Sequence, residues 1–346
     1  MLLLRAAASS FLVSIAFASS HADACTTFCS RAEAGPLLAK SFDWGTGTGF
    51  LVANERGRAR NRLIPGGSNA SWTSRFASLS FSTVGPGFPI GGMNEAGLTV
   101  EALVDLAVTP AAIPDPQRLT GLELIQYALD RFDTVADFAS FAEQQGVSQL
   151  AVPLHFFTCD ASGACAAIES RDGRVHATRG AELGVRVLAN RPYSVDLQPP
   201  AAHADHADHL SSGDRFATIA RAVEGGRARD VDDAFRLLDT VRVPSRTKWQ
   251  IVWNIGKRAV SFRDREGAKI ATVGMDVATV RCDGAPRVRA IGKASDDTVF
   301  VRWSNETAAR AQEAVLVQVG TRAGAAPRLA AAVAAATRAS SCVTPE

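Results

Sequence analysis

The sequence lacks a long apolar run after its first two dozen residues, and it lacks any block of basic residues with interleaved aromatic side chains. The first absence excludes a membrane-spanning helix, which needs roughly 20 apolar residues, from the rest of the chain. The second argues against nucleic acid as a partner. The net charge agrees, because 37 lysines and arginines stand against 35 acidic residues. We expect neither a nucleic acid nor a membrane as a partner of the chain that follows the first segment.

No histidine stands where a cysteine–histidine catalytic pair would be expected. His155 and His176 fall on strand-like segments, and three further histidines form the repeat HADHADH at 203–209. Histidines at this spacing could bind a metal, but in a loop flanked by proline and alanine they more often belong to a solvated linker. We therefore predict no metal site and no cofactor.

The first 24 residues have the composition of a cleavable secretory signal. Arg5 precedes an apolar stretch at 6–18, and the small-residue pattern Ala22-Asp23-Ala24 follows it. Cleavage after Ala24 would leave Cys25 as the first residue and 25–346 as one domain in the periplasm or outside the cell. A lipoprotein signal would also leave a cysteine first, but it expects a leucine-like residue where Ala22 stands.

The rest of the chain is ordinary for a globular protein, with 47% hydrophobic and 21% charged residues. Six cysteines in an exported chain suggest disulfides. Two pairings are predicted, Cys159 with Cys165 across a turn-rich segment and Cys282 with Cys342 at the tail. The rival pair Cys25–Cys29 is disfavoured, because residues four apart along a strand lie too far apart for a relaxed bridge.

Apolar periodicity predicts strands, a helix pair, strands, a second helix pair and strands again. The predicted strands are 25–31, 36–44, 49–53, 77–84, 98–104, 152–158, 164–169, 185–189, 249–255 and 259–262. The predicted helices are 119–132, 135–144 with Thr134 as N-cap, 213–223 and 231–241, and the Ala-rich tail 323–338 also reads as helical. Segment 91–97 is predicted to connect two strands.

This order of strands and helices is not the alternation of a doubly wound parallel sheet. It fits an α+β fold of two mainly antiparallel sheets covered by helices on both sides.

A cysteine at the chain's own N-terminus has an unusual chemical property. Its α-amino group has a pKa of about 7.7–8, so near neutral pH a useful fraction is uncharged and can take the thiol proton. Cysteine is already a few per cent thiolate there and needs little activation. The pattern therefore indicates an N-terminal nucleophile that requires no histidine.

Several motifs in matching order resemble the choloylglycine hydrolase family, which includes bile salt hydrolases and penicillin V acylases. They run from Cys25 to about Arg263, and nothing after about residue 280 is recognised. The motifs are CTTFC, AKSFDW, GMNEAGL, VLANRP, SSGDRF and TKWQIVWNIGKRAVSFR. The resemblance implies a four-layer αββα N-terminal-nucleophile hydrolase and a homo-oligomer, with a tetramer as the family precedent.

The resemblance also assigns roles to individual residues. Cys25 would be the nucleophile, and Asp43 would hydrogen-bond the terminal amine or the thiol and orient both. Asn190 would donate a side-chain N–H to the oxyanion of the tetrahedral intermediate. Arg215 would lie beside Cys25 and favour the thiolate.

Two positions depart from the family pattern. Lys40, which we predict to contact the substrate, stands where the family often has arginine, so the charge is kept without the planar fork. Val104 stands where the family commonly has asparagine or tyrosine, so it can offer the oxyanion only its backbone N–H. From position alone, Phe50, Leu51, Trp72, Phe88 and Val104 are predicted to line an apolar substrate pocket.

These residues predict an exported hydrolase of linear amides that acts through a Cys25 thioester on a small acyl-amide substrate. Phenoxyacetyl-penicillins and N-acyl-homoserine lactones are the leading substrate classes, and conjugated bile salts come second. A different class remains open: an envelope binding protein in which Cys25 is lipidated or disulfide-bonded. Taken singly, Asp43 could be a strand-end cap, Asn190 a turn residue, Arg215 a surface residue and Cys25 a half-cystine. Their joint occurrence behind a cleavage site favours the enzyme.

Overall fold

The computed structural model describes residues 25–61, 71–109, 118–149, 152–198, 210–264, 269–291, 299–304, 306–309 and 341–343. The predicted signal 1–24, the HADHADH segment 203–209 and the Ala-rich tail 323–338 lie outside these residues. Within the described part of the chain, no helix is both long enough and apolar enough to span a bilayer.

The first sheet is built on the hairpin that the sequence predicts at its start. Thr26 pairs with Ser41 and Ala32 with Gly35 across its two strands. Gly35 adopts a φ of +103°, and a Cβ on it would lie 2.8 Å from the Cα of Gly256, so both the conformation and the space require glycine. The sheet has six antiparallel strands in the order β12-β1-β2-β13-β14-β15. Their bounds are β1 Thr26–Ala32, β2 Gly35–Asp43, β12 Val187–Leu188, β13 Thr247–Asn254, β14 Ala259–Asp264 and β15 Ala271–Gly274.

The second sheet has nine antiparallel strands in the order β11-β10-β9-β8-β7-β6-β3-β16-β17. Their bounds are β3 Gly49–Asn54, β6 Ser78–Ser82, β7 Gly91–Asn94, β8 Thr99–Val104, β9 Leu154–Cys159, β10 Cys165–Arg171, β11 Arg174–Arg179, β16 Arg287–Ile291 and β17 Val301–Arg302. A separate small hairpin joins β4 Ala59–Asn61 to β5 Ser71–Thr73. The two large sheets face each other, since Phe81 of the second sheet packs edge-on against Trp253 and Phe262 of the first.

Helices cover the outer face of each sheet. Leu124, Ile125 and Leu129 of the first helix share a buried cluster with Val100 and Phe156 of the nine-stranded sheet. The helices Ser212–Glu224 and Val231–Thr240 lie on the six-stranded sheet instead, against β1, β2 and β13. The bounds are α1 Gly121–Arg131, α2 Val135–Gln145, α3 Tyr193–Asp196, α4 Ser212–Glu224 and α5 Val231–Thr240. This is the predicted αββα arrangement of two antiparallel sheets between helices.

Local capping explains where these helices begin. The predicted N-cap Thr134 accepts a hydrogen bond from the backbone N–H of Asp137 at 3.1 Å. Ser211 and Asp214 form a reciprocal capping box at the start of α4, which fixes the helix that carries Arg215.

The structure contains both predicted disulfides, Cys159–Cys165 and Cys282–Cys342. Neither includes Cys25 or Cys29, which are buried thiols, so the rival Cys25–Cys29 bridge is not formed. The second disulfide holds together two parts of the C-terminal region that the motifs do not cover.

The sequence underestimates the number of strands. Segment 91–97 was expected to connect two strands, but Gly91–Asn94 is itself the strand β7. A Cβ on Gly91 would lie 2.0 Å from the carboxylate of Glu101, so a neighbouring side chain fills the space above the glycine. Beyond residue 280, Arg287–Ile291 pairs with β3 and extends the nine-stranded sheet.

Candidate active site

The predicted catalytic residues come from separate segments that meet at one edge of the sandwich. Cys25 immediately precedes β1, Asp43 ends β2 and Val104 ends β8. Asn190 follows β12, and Arg215 lies in the first turns of α4. Antiparallel pairing puts the start of β1 beside the end of β2, so the Cys25–Asp43 proximity follows from the hairpin register.

Cys25 is buried, with 2% of its surface exposed. Its Sγ lies 3.8 Å from the backbone carbonyl oxygen of Asp43, to which the thiol can donate. Cys25 and Asp43 are therefore neighbours in the structure.

Asp43 is fully buried. Its Oδ1 accepts a hydrogen bond from the Ser41 hydroxyl at 2.9 Å, whereas its Oδ2 has no hydrogen-bond partner among the described residues. Burial raises the pKa of Asp43 to about 6, and the hydroxyls of Thr247 and Ser41 and the charges of Arg215 and Lys40 oppose this rise. A buried carboxylate oxygen without a donor is suited to accept one from a new group such as an α-amine.

The raised pKa of Asp43 has a measurable consequence for stability. The carboxyl binds its proton more tightly in the fold than in the unfolded chain, so between pH 4 and 6 the folded state holds more protons and stability falls as the pH rises. A shift from 3.8 to about 6 corresponds to about 3 kcal/mol. The Asp43→Asn variant lacks this titrating group, so only the wild type should lose stability as the pH rises. We therefore expect the unfolding free energy of the variant, relative to wild type, to increase by about this amount from pH 4 to pH 8. Urea titrations at both pH values measure it. A pH-independent difference would contradict the assignment.

Asn190 and Arg215 form a second buried pair beside the hairpin. Arg215 donates from Nη2 to Asn190 Oδ1 at 3.1 Å and from Nε to the Thr26 hydroxyl at 3.1 Å, directly after Cys25 in the chain. Asn190 donates from Nδ2 to the carbonyl oxygen of Val104 at 2.9 Å. An amide nitrogen carries two N–H groups, so a second remains for another acceptor. Arg215 thus fixes which way the Asn190 amide points.

Burial lowers the pKa of Arg215, and the charges of Asp43 and Cys25 oppose this. The guanidinium therefore interacts electrostatically with both, which fits the predicted role of favouring the thiolate. Thr26 and Leu210 help to hold it, the latter by accepting from Nη1 at 2.9 Å. Neither was singled out from the sequence, because a backbone carbonyl and a strand threonine carry no motif.

The ammonium group of Lys40 is bound by acceptors inside the protein. Its Nζ donates to Glu101 Oε2 at 2.8 Å and to the carbonyl oxygens of Ile90 and Ala102 at 3.2 and 2.7 Å. These three acceptors match the three donors of an ammonium group. The predicted contact of Lys40 with substrate is therefore replaced by an internal ion pair that links β2 to β8.

This buried pair should matter for stability. Trp253 Nε1 also donates to Glu101, at 2.5 Å. Replacing Lys40 with methionine is expected to lower the unfolding free energy by about 3–5 kcal/mol, because Glu101 would lose its partner cation. The double variant Lys40→Met/Glu101→Gln should recover most of that loss, as urea denaturation would show. A Lys40→Met variant with a raised KM and unchanged stability would instead indicate that Lys40 contacts the substrate.

The three aromatic pocket candidates pack away from Cys25. Phe50 and Phe88 belong to a cluster with Trp303, outside the one that contains Cys25. Trp72 donates to Asp130 at 2.7 Å and packs edge-on against Tyr127. For Phe50 the reason is alternation along β3, which turns it to the opposite face from Leu51, and Leu51 does share the Cys25 cluster.

Comparison with known proteins supports the architecture. No family model and no curated protein matches the sequence. Among solved structures, the penicillin V acylase from Agrobacterium tumefaciens aligns over 82% of this chain and 96% of its own, with 22% identity and a TM-score of 0.66. Two variants of the conjugated bile acid hydrolase from Clostridium perfringens align over 81% of this chain and 96% and 97% of theirs, with 13% identity and a TM-score of 0.58. This likeness confirms the predicted sandwich of two antiparallel sheets between helices.

Proposed function

We propose that the chain is a choloylglycine-hydrolase-like enzyme that hydrolyses linear amides with Cys25 as its N-terminal nucleophile. One observation carries the proposal: four residues predicted from separate motifs form one buried network. Arg215 bonds Asn190 and the residue after Cys25, and the Cys25 sulfur lies against Asp43. Matching structures of a penicillin V acylase and a conjugated bile acid hydrolase add support.

Removal of residues 1–24 would create the base. The new α-amine of Cys25 would lie near the Asp43 carboxylate, whose Oδ2 can accept one of its N–H groups. Held there, the neutral amine takes the thiol proton, and Arg215 stabilises the thiolate. Because the base and the nucleophile belong to the same residue, the reaction needs no histidine.

Acylation and deacylation then follow with balanced proton transfers. The thiolate attacks the amide carbonyl carbon, and the oxyanion accepts from the second Nδ2–H of Asn190 and from the Val104 backbone N–H. The intermediate collapses by breaking the C–N bond, and the leaving amine takes the proton from the α-ammonium. Water then attacks the thioester and gives a proton to the α-amine. The second tetrahedral intermediate breaks its C–S bond to release the carboxylic acid and the Cys25 thiolate, and the α-ammonium returns its proton to the thiolate, which restores the thiol and the neutral amine.

The acyl group is proposed to be apolar. Phenoxyacetyl-penicillins and N-acyl-homoserine lactones are the first candidates, and conjugated bile salts the second. Val104 lacks the side-chain polar group that the family commonly has at this position, which favours the acylase branch. A homo-oligomer is also proposed, and sedimentation of the purified protein would test it.

Export to the periplasm or exterior is part of the proposal. Two disulfides, Cys159–Cys165 and Cys282–Cys342, suit an oxidising compartment. The competing class is an envelope protein anchored through a lipid on Cys25.

Intact mass and a substrate panel together test the proposal. We expect a mature chain that begins at unmodified Cys25, and release of amine from at least one of penicillin V, an acyl-homoserine lactone and glycocholate. One equivalent of iodoacetamide should abolish that release. A diacylglyceryl adduct, or a chain that begins at another residue, would overturn the enzyme proposal in favour of the anchored protein.

A further inference from the structure

A histidine that the proposed reaction does not use lies buried next to the Asn190 segment. His155 is fully buried on β9, and its Nδ1 lies 3.4 Å from Glu169 Oε1 and 3.9 Å from Asp105 Oδ2. We call these three residues the His155 cluster. Two carboxylates in a dry interior are costly unless a partner side chain lies between them, and the His155 imidazole lies between these two.

Asp105 stands between two residues that hold Asn190. Val104 accepts from Asn190 Nδ2 at 2.9 Å, and Leu106 donates its backbone N–H to the carbonyl oxygen of Asn190 at 3.0 Å. Asp105 itself is buried and fixes the turn by accepting from Ala107 N at 2.9 Å. Any shift of Asp105 would move both contacts of Asn190.

Glu169 holds the other side of the same segment. Its Oε1 accepts from the backbone N–H of Tyr193 at 2.9 Å, three residues after Asn190. Its Oε2 accepts from Arg171, which also donates to the Ser194 hydroxyl at 2.7 Å. Burial raises the pKa of Glu169. The hydrogen bond and charge of His155, the backbone N–H of Tyr193 and the charge of Arg171 together lower it by more, so the pKa lies below its usual value. The carboxylate is therefore ionised.

Both oxygens of Glu169 thus accept from protein donors, which favours a bridge through His155 over a metal site in this cluster. The geometry points to His155 as a positioning residue: we propose that it joins Asp105 to Glu169 and so locks the Asn190 amide in the orientation that receives the oxyanion. This inference rests on the proposed function, because it assigns Asn190 to the oxyanion.

The substitution His155→Gln tests it on the mature enzyme with whichever panel substrate it hydrolyses. We expect kcat to fall about tenfold, because a misplaced donor forfeits part of the 10²–10³-fold that a deleted one costs. KM should stay within about twofold, since the bridge acts on the transition state. An aldehyde analogue of the acyl group, which forms a hemithioacetal with Cys25, should bind about tenfold more weakly, whereas the acid product should bind equally well.

Two further readouts separate positioning from general damage. The rate at which iodoacetamide alkylates Cys25 should be unchanged, because the nucleophile does not depend on the bridge. His176→Gln is the matched control: His176 pairs with Glu169 in the β10–β11 register, but its side chain is exposed. That variant should behave as wild type. If His155→Gln does not fold, Asp105→Asn removes the other end of the bridge and should give the same split.

The results distinguish this inference from the function on which it rests. A wild-type protein that hydrolyses nothing in the panel, with unmodified Cys25, fails the proposed function. An active wild type with a folded His155→Gln of equal kcat and equal aldehyde affinity overturns the positioning role alone. A His155→Gln variant in which kcat and the rate of Cys25 alkylation fall together also overturns the positioning role, because that result indicates a distorted site.

Discussion

Replacing Cys25 with serine is expected to lower kcat by at least about 10³-fold while the protein still folds. The serine hydroxyl is a far poorer nucleophile with the same weak base. The sulfur lies in a buried position that a smaller oxygen can occupy without a clash. Single-turnover kinetics on the best panel substrate and a thermal melt of the variant measure the two halves of this expectation.

Cys29→Ser is the matched control. Cys29 is also a buried thiol outside the disulfides, four residues along the same strand. Burial raises its pKa to about 12, so it is inert as a nucleophile at neutral pH. A serine there can donate to the Ser30 carbonyl oxygen that the thiol already approaches at 4.0 Å. Wild-type turnover is expected. Equal losses in both variants would point to packing rather than chemistry and would remove Cys25 from the mechanism.

Removing the side chain of Asn190 is expected to have the next largest effect. Asn190→Ala deletes one oxyanion donor and should lower kcat by about 10²–10³-fold with little change in KM. It also leaves Arg215 Nη2 and the Val104 carbonyl oxygen without their present partner, so a loss of about 1–3 kcal/mol in unfolding free energy should accompany it. Steady-state kinetics and urea denaturation separate the two effects.

A second buried asparagine provides the comparison. Asn54, at the far end of β3, accepts from Arg60 at 3.0 Å and donates to the Ser80 hydroxyl at 3.1 Å. Asn54→Ala breaks the same type of arginine–asparagine contact away from the site. It should cost similar stability and leave kcat within about twofold. If Asn190→Ala lowers kcat no more than Asn54→Ala does, Asn190 is not the oxyanion donor.

The strands and helices with strong periodicity were predictable from local sequence. The hairpin Thr26–Asp43, the α1 and α2 pair and the N-cap Thr134 appear where the pattern placed them. The glycine strand β7 was not, because a strand of Gly91 and Gly92 forms only when neighbours such as Glu101 fill the space above it. The strand β16 was missed because its pairing partner, β3, is more than two hundred residues away in the chain.

The sequence named candidate site residues but not their contacts, and their catalytic roles stay predictions. Cys25, Asp43, Asn190 and Arg215 came from motifs, and the structure places them in one network. The apolar pocket residue Phe50 was misplaced because the face that a strand side chain occupies depends on strand register and on which sheet covers it.

The sequence by itself determined which residues are available for chemistry and which short segments are strands or helices, since both depend on residue type and near-neighbour spacing. Only the tertiary structure decided that Lys40 lies in an internal ion pair with Glu101 and that His155 lies between two carboxylates beside Asn190. Such contacts join strands far apart in the chain, and the charge that meets a buried side chain is set by the packing of two sheets rather than by its sequence neighbours.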